Sequence, residues 1–287
     1  MLFNEKITEC VYRILNAGCD VYLVDGKIPY LIDCGCSKDN IKEYVESLIH
    51  KPVNHVLITH AHIDHCGHAG LFEQVYMTKE TALQAKNWMD ENPECLQLNY
   101  DYTQIEDGLK LVIGDSVIEV IYCDIHCNGN VMFLDHAQRF LFTGDEIDQD
   151  QVLLLPSFAT KKGEIHSKPA ASVKEYRDML KRIWNRKDQF DMLCTGHNGS
   201  PLKKDTILSM IECCDAILKG EKGQTNLSSD SYTPEYTHYP YEHAHYRRFE
   251  KNGMALVYCS DDLIDSKYNS QVIPATPLHL ICKENFD

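Results

Sequence analysis

The chain has 287 residues, 44% of them hydrophobic, with 28 basic against 43 acidic side chains and a formal net charge of -15. That length and apolar fraction suffice for one large domain or two small ones with a sizeable core. The acidic balance repels polyphosphates, which sets nucleic acid aside as a partner, and no run approaches the roughly 20 apolar residues of a membrane span.

The opening MLFNEKITECVYRIL has no basic segment leading into a long apolar run, so export is not expected. Thirteen cysteines, single except for Cys213 and Cys214, do not form the framework of a small disulfide scaffold and read as reduced thiols of a cytoplasmic protein. CDVYLVDG and IPYLIDCG, separated by the turn signal DGK, predict a β-hairpin. KDNIKEYVESLIH is helix-compatible and leads into VNHVLITH, where Val56, Leu57 and Ile58 make a short buried strand. KETALQAKNWMDEN predicts another helix, and IEDGLKLVIGDSVIEVIYCDIH with VMFLDHAQRFLFTGDE predicts a second strand-rich block.

Further along, Val173, Tyr176, Met179, Leu180, Ile183 and Trp184 recur at helical spacing, and Ser172 with Glu175 has the spacing of a capping box. FDMLCTGH predicts a buried strand, and TILSMIECCDAILKG a second amphipathic helix closed by Gly220. Residues 221–240, rich in Ser, Thr, Gly and Pro, predict a loop, and HYRRFEKNGMALVYC a terminal hairpin around Asn252 and Gly253.

The chemistry concentrates at strand ends. THAHIDHCGH, residues 59–68, follows the Val56–Ile58 strand directly and supplies His60, His62, Asp64 and His65. Imidazole and carboxylate are the usual zinc ligands outside thiolate sites, and this loop has the look of half a metal site. His126 after VIEVIYCDI, Asp145 after RFLFTG and His197 after DMLCTG occupy similar positions. Taken singly, either of these histidines reads as a hydrogen-bonded structural residue. Taken together with the loop, the three residues complete a set. In TGDEID, Asp145 and Glu146 place two carboxylates at a strand end, which is costly to desolvate unless positive charge meets them. Five histidines and two aspartates suffice for two metal ions, with Asp145 as the shared carboxylate between them.

The HxHxDH pattern, the preceding YLIDCG, the isolated His126, the TGD ending in Asp145 and the GH of CTGHN resemble the metallo-β-lactamase superfamily over roughly residues 20–200. The resemblance implies an α/β fold, the four-layer αββα metallo-β-lactamase sandwich, with metals at one edge of its sheets. It implies a catalytic core over residues 1–220, with 221–287 an extension of the same domain toward the substrate pocket. By the same resemblance, His60, His62 and His126 hold one metal, Asp64, His65 and His197 the other, and Asp145 bridges. Two Zn2+ per chain are expected, with iron or manganese also suited to these ligands.

Asp33 of IDCG is either a hydrogen-bonding support for the metal loop or a plain turn residue. Cys66, Cys127 and Cys194 read as small buried hydrophobes rather than thiolate ligands. Glu146 and His68 read as locally hydrogen-bonded or solvated groups outside the ligand set.

The expected activity is that of a glyoxalase II-like or lactonase-like hydrolase, in which a metal-bridging hydroxide cleaves a small-molecule thioester, ester or lactone. Asp64 and Asp145 are its catalytic carboxylates. The alternatives are an iron-dependent redox enzyme of the same fold, of persulfide dioxygenase or diiron oxygen-reductase type, and a phosphodiesterase. In SYTPEYTHYPYEHAHYRRF, either Arg247 or Arg248 pairs with an anionic substrate group or the segment forms a lid or dimer contact. The expected partner is a small molecule, with neither nucleic acid nor membrane, and a homodimer stands open beside the monomer.

Overall fold

Two sheets stand face to face in the computed structural model, which describes residues 2–16, 18–91, 100–149, 151–154, 171–223, 246–259 and 263–264. The first is built from β1 (Phe3–Lys6), β2 (Val11–Asn16), β3 (Cys19–Val24), β4 (Tyr30–Ile32), β5 (His55–Leu57), β6 (Gln74–Met77) and β7 (Thr103–Gln104), in that order. Helix α1 (Ile41–Ile49), the single turn α2 (Ile63–Cys66) and α3 (Lys79–Glu91) fall between its later strands. Pairing is antiparallel as far as β4 and parallel from there to β7.

The chain then supplies β8 (Lys110–Ile113), β9 (Ser116–Tyr122), β10 (Val131–Asp135), β11 (Phe140–Gly144), β12 (Val152–Leu153), α4 (Val173–Trp184), β13 (Met192–Thr195), β14 (Leu202–Lys203), α5 (Thr206–Leu218), β15 (Tyr246–Lys251) and β16 (Met254–Cys259). The second sheet runs β14-β13-β11-β10-β9-β8, and a third, small sheet runs β12-β16-β15.

Alternation along the strands sorts the core into layers, because successive side chains on a strand point to opposite faces. On β10, Phe133 faces one cluster with Tyr22, Tyr30, Leu57 and Phe142, which fills the gap between the two large sheets. Its neighbours Met132 and Leu134 face the other way, into a cluster with Tyr176, Leu180, Ile183 and Ile217 of α4 and α5. On the outer face of the first sheet, Val21, Leu31 and Val56 pack with Ile41 and Val45 of α1. Helix, sheet, sheet and helix are therefore stacked with an apolar layer at each junction, which is the expected αββα sandwich.

Local signals agree with this packing. Ser172 Oγ accepts from Glu175 N at 3.1 Å while Ser172 N donates to Glu175 Oε2 at 2.7 Å, closing the capping box at the start of α4. Several features were not expected from the sequence. The edge strand β1 and its neighbour β2 precede the predicted hairpin, and residues 63–66 are a helical turn where a loop was expected. The predicted terminal hairpin is present as β15 and β16, but β16 pairs in parallel with β12, Val152 opposite Leu256. No described helix is long and apolar enough to cross a membrane.

Strand direction gathers the functional loops. Parallel strands β4 and β5 end together, as do β11 and β13, and β9 runs with β11 because both are antiparallel to β10. Asp33, His60, His126, Asp145 and His197 follow the carboxyl ends of these five strands, the edge at which open α/β sheets collect ligands.

Candidate metal centre

All seven residues named from the sequence converge at that edge. In one group His62 Nδ1 lies 3.0 Å from His60 Nε2 and 3.2 Å from His126 Nε2. Asp145 Oδ2 lies 3.7 Å from His60 Nε2 and 3.5 Å from His126 Nε2. In the other, His65 Nε2 and His197 Nε2 are 3.5 Å apart, with Asp64 Oδ2 at 3.7 Å and 3.5 Å from them respectively. Asp145 closes this group too, Oδ1 at 3.2 Å from His65 Nε2 and Oδ2 at 3.3 Å from His197 Nε2.

These separations are those of ligands around metal ions. Donors about 2.0–2.1 Å from a tetrahedral zinc lie about 3.3–3.4 Å from one another. The observed spacings bracket that value in both groups. Asp145 Oδ1 is buried and accepts no hydrogen bond among the described residues, an orphaned charge that a cation would satisfy. The residues present therefore fit divalent cations, and nitrogen and carboxylate oxygen suit zinc, iron or manganese.

Outer hydrogen bonds fix which imidazole nitrogen is free. His126 Nδ1 faces Leu153 O at 3.2 Å, His197 Nδ1 faces Gly18 O at 3.0 Å, and His65 Nδ1 faces Asp33 Oδ2 at 2.8 Å. Each partner is an acceptor only, so Nδ1 carries a proton and Nε2 is the nitrogen that faces the centre, able to give its lone pair to a metal once any proton on it has left. Thr59 Oγ1 donates to Asp33 Oδ2 at 2.8 Å, which leaves it to accept from His60 Nδ1 at 3.0 Å. Asp33 also accepts Thr59 N at 2.8 Å. Of the two readings of Asp33, the support role is therefore the one observed, and its left-handed φ of 59° is a conformation Asp tolerates better than most residues.

Burial and charge set the protonation. Burial is the chief cause that holds His62 down to about 3 and His60 well below the ordinary imidazole range, with His126 and His65 respectively adding repulsion. Burial opposes ionisation of Asp145, yet the His197, His65 and His60 imidazoles hold its carboxyl well below the usual carboxylate range. At His197 burial favours the neutral ring, but Asp145 and Asp64 outweigh it and raise the group to about 10. A metal entering the second group must displace that proton, so its affinity falls as pH falls.

The residues set aside from the sequence lie elsewhere. Cys66 Sγ donates to Ala61 O at 3.3 Å, Cys127 Sγ faces Asn130 Oδ1 at 3.8 Å, and Cys194 packs between the sheets. Glu146 is fully buried rather than solvated and accepts Ile125 N and His126 N on Oε1. Cys19 escaped the sequence reading: its Sγ lies 3.6 Å and 3.7 Å from the two nitrogens of His65 and belongs to a close group with Asp64 and His65. A single cysteine opening a strand gives no sequence signal for this. Arg248 donates to Gln151 Oε1 and pairs with Glu250, and Arg247 donates to Gly223 O. The Tyr- and His-rich stretch before them, to residue 245, lies outside the described residues, as does most of the predicted 221–240 loop.

An αββα sandwich with a histidine and aspartate cluster at one sheet edge defines the class. Residues 16–197 match the metallo-beta-lactamase superfamily, and the chain belongs to it. The lactamase-like protein adaB of Aspergillus niger is 29% identical over 159 residues, covering 50% of this chain and 46% of that protein. An RNase J-like protein of Methanocaldococcus jannaschii is 30% identical over 183 residues, covering 53% of this chain and 42% of its own. The chain thus spans less than half the length of these relatives. Among solved structures, a metallo-beta-lactamase from Pontibacter korlensis superposes with a TM-score of 0.56 at 19% identity, over 75% of this chain and 99% of its own.

Proposed function

We propose that the chain is a dinuclear metal-dependent hydrolase of small-molecule thioesters, esters or lactones, acting in the cytoplasm with two Zn2+ ions. The observation that carries this reading is that Asp145 belongs to both ligand groups at once. His60, His62 and His126 would hold one ion, Asp64, His65 and His197 the other, and Asp145 would join them. Two bound ions lower the pKa of water toward neutrality and polarise a carbonyl oxygen, which supplies both nucleophile and electrophile.

The chain's own residues do the rest. Asp33, Thr59, Leu153 O and Gly18 O hold the imidazole tautomers. Asp64, 29% exposed, stands at the open side of the centre, where its carboxylate can hold or pass a proton from the attacking water to the leaving group. The net charge of -15 supports a small substrate over a polyanion. The ten cysteines whose side chains are described are free thiols, which supports a reducing compartment. One observation favours a second reading: the likeness to an RNase J-like protein makes phosphodiester hydrolysis the competing activity.

Elemental analysis with a panel of thioesters, lactones, phosphodiesters and persulfides tests the reading. Two equivalents of metal with release of thiol or ring-opened acid are expected. Cleavage confined to phosphodiesters, or oxygen consumption with a persulfide, overturns it.

A further inference from the structure

We infer that Glu146 and Asp148, which flank the shared Asp145, are positioning residues, each holding the backbone of the loop that carries a histidine of one ligand group. The inference rests on the dinuclear reading above and adds to it two residues that meet the ligand groups only at their backbone amides. Glu146 Oε1 accepts Ile125 N at 3.0 Å and His126 N at 3.2 Å. Asp148 Oδ2 accepts His197 N at 3.1 Å and Asn198 N at 2.9 Å. The arrangement is the same twice: one carboxylate oxygen, two consecutive amides, and a ligand histidine as one of the two amide owners.

Both carboxylates are sequestered, Glu146 at 0% and Asp148 at 3% exposure. A hydrogen bond is stronger where water is excluded, and a buried amide left without its acceptor is costly. The turn that carries the two acids is itself anchored. Glu146 N donates to Thr143 O at 3.2 Å, Thr143 Oγ1 donates to Ile147 O at 3.0 Å, and the Tyr176 hydroxyl of α4 donates to Glu146 O at 2.8 Å.

Six residues, Thr143 to Asp148, therefore place three things at once. Asp145 faces both groups, Glu146 sets the start of the His126 loop, and Asp148 sets the start of the His197 loop. His126 comes from the end of β9 and His197 from the end of β13, and neither loop is next to the other in sequence. Their separation across the centre is set through this one turn. Each ring is then trimmed by its own carbonyl, Leu153 O for His126 and Gly18 O for His197.

The test is a metal titration of the full chain and of Glu146→Gln and Asp148→Asn, which keep the acceptor shape and remove the charge, beside Glu146→Ala and Asp148→Ala. Zn2+ affinity is read by competition with a chromophoric chelator, and Co2+ absorption reports which group is filled. His62→Ala and Asp64→Ala, each leaving one group whole, give the reference spectra. The expected result is a 10- to 100-fold weaker Zn2+ affinity at one group in each variant. The Co2+ spectrum of Glu146→Gln should then match that of His62→Ala, and Asp148→Asn that of Asp64→Ala. The Gln and Asn variants decide the matter if the Ala variants do not fold. A wild-type chain binding two equivalents, with both variants matching its affinities or losing both groups together, overturns this inference and leaves the dinuclear reading intact. A wild-type chain that binds no metal overturns both.

Discussion

Asp33 Oδ2 stands 2.8 Å from His65 Nδ1, and the same oxygen accepts the hydroxyl of Thr59, which in turn faces His60. One carboxylate from the end of β4 thus reaches a histidine in each ligand group, directly in one and through Thr59 in the other. Asp33→Ala is expected to weaken Zn2+ binding 10- to 100-fold at the His65 group and less at the His60 group. A chelator competition that returns wild-type affinity at both groups would refute the assignment.

Gly196 lies where no side chain fits. A Cβ there would stand 2.2 Å from Asp145 Oδ1 and 2.9 Å from His65 Cε1. Gly196→Ala is expected to lose metal and hydrolysis together and to destabilise by roughly 1–3 kcal/mol, the usual range for overpacking. Metal analysis and a thermal melt of the variant check this, and a fully loaded, unshifted variant would mean that the Asp145 carboxylate does not need its observed place.

Removing the metals should lower the melting temperature. A ligand at about 100 times its Kd contributes about 2.7 kcal/mol to the folded state, which in a chain of this size is roughly 5 °C or more. Melts with a chelator and with restored Zn2+ measure the difference. Identical curves would show that no ion binds the folded chain in preference to the unfolded one.

A pH effect is expected at Asp20, which pairs with Arg13 at 2.8 Å. Burial raises its carboxyl to about 6 against the pull of Arg13. The folded state then binds the proton more tightly than the unfolded state does. The stability contributed is greatest below about pH 4 and is lost as pH rises through about 6, by up to roughly 3 kcal/mol. Asp20→Asn removes this decline. Urea unfolding of both proteins at pH 4.5 and 7.5 should show the wild type losing more stability over the interval, and parallel losses would contradict the sign.

How much of this was readable from the chain follows the range of the interactions. Ser172 and Glu175 announce their helix because the capping box is written three residues apart. His60, His62, Asp64 and His65 announce a candidate metal site because four donors crowd one loop, and the distant His126, Asp145 and His197 join them through a shared position after apolar strands. Phe3–Lys6 gives no such signal: three of its four residues are exposed and its pairing partner alone makes it a strand. The two residues of β12 are likewise a strand only because β16 lies beside them. Glu146 and Asp148 look like surface acids until the amides of loops about 20 and 50 residues away are seen to end on them.

The spacing of the candidate ligands along the chain has a consequence for when a metal could be bound. His65 and His197 come from different sheets and lie 132 positions apart in the chain, so the HxHxDH segment by itself offers only half of the ligand set. Contacts of such long sequence separation form late in folding. An ion that needs ligands from both sheets would therefore be chosen by the finished molecule, from whatever metal pool that molecule meets.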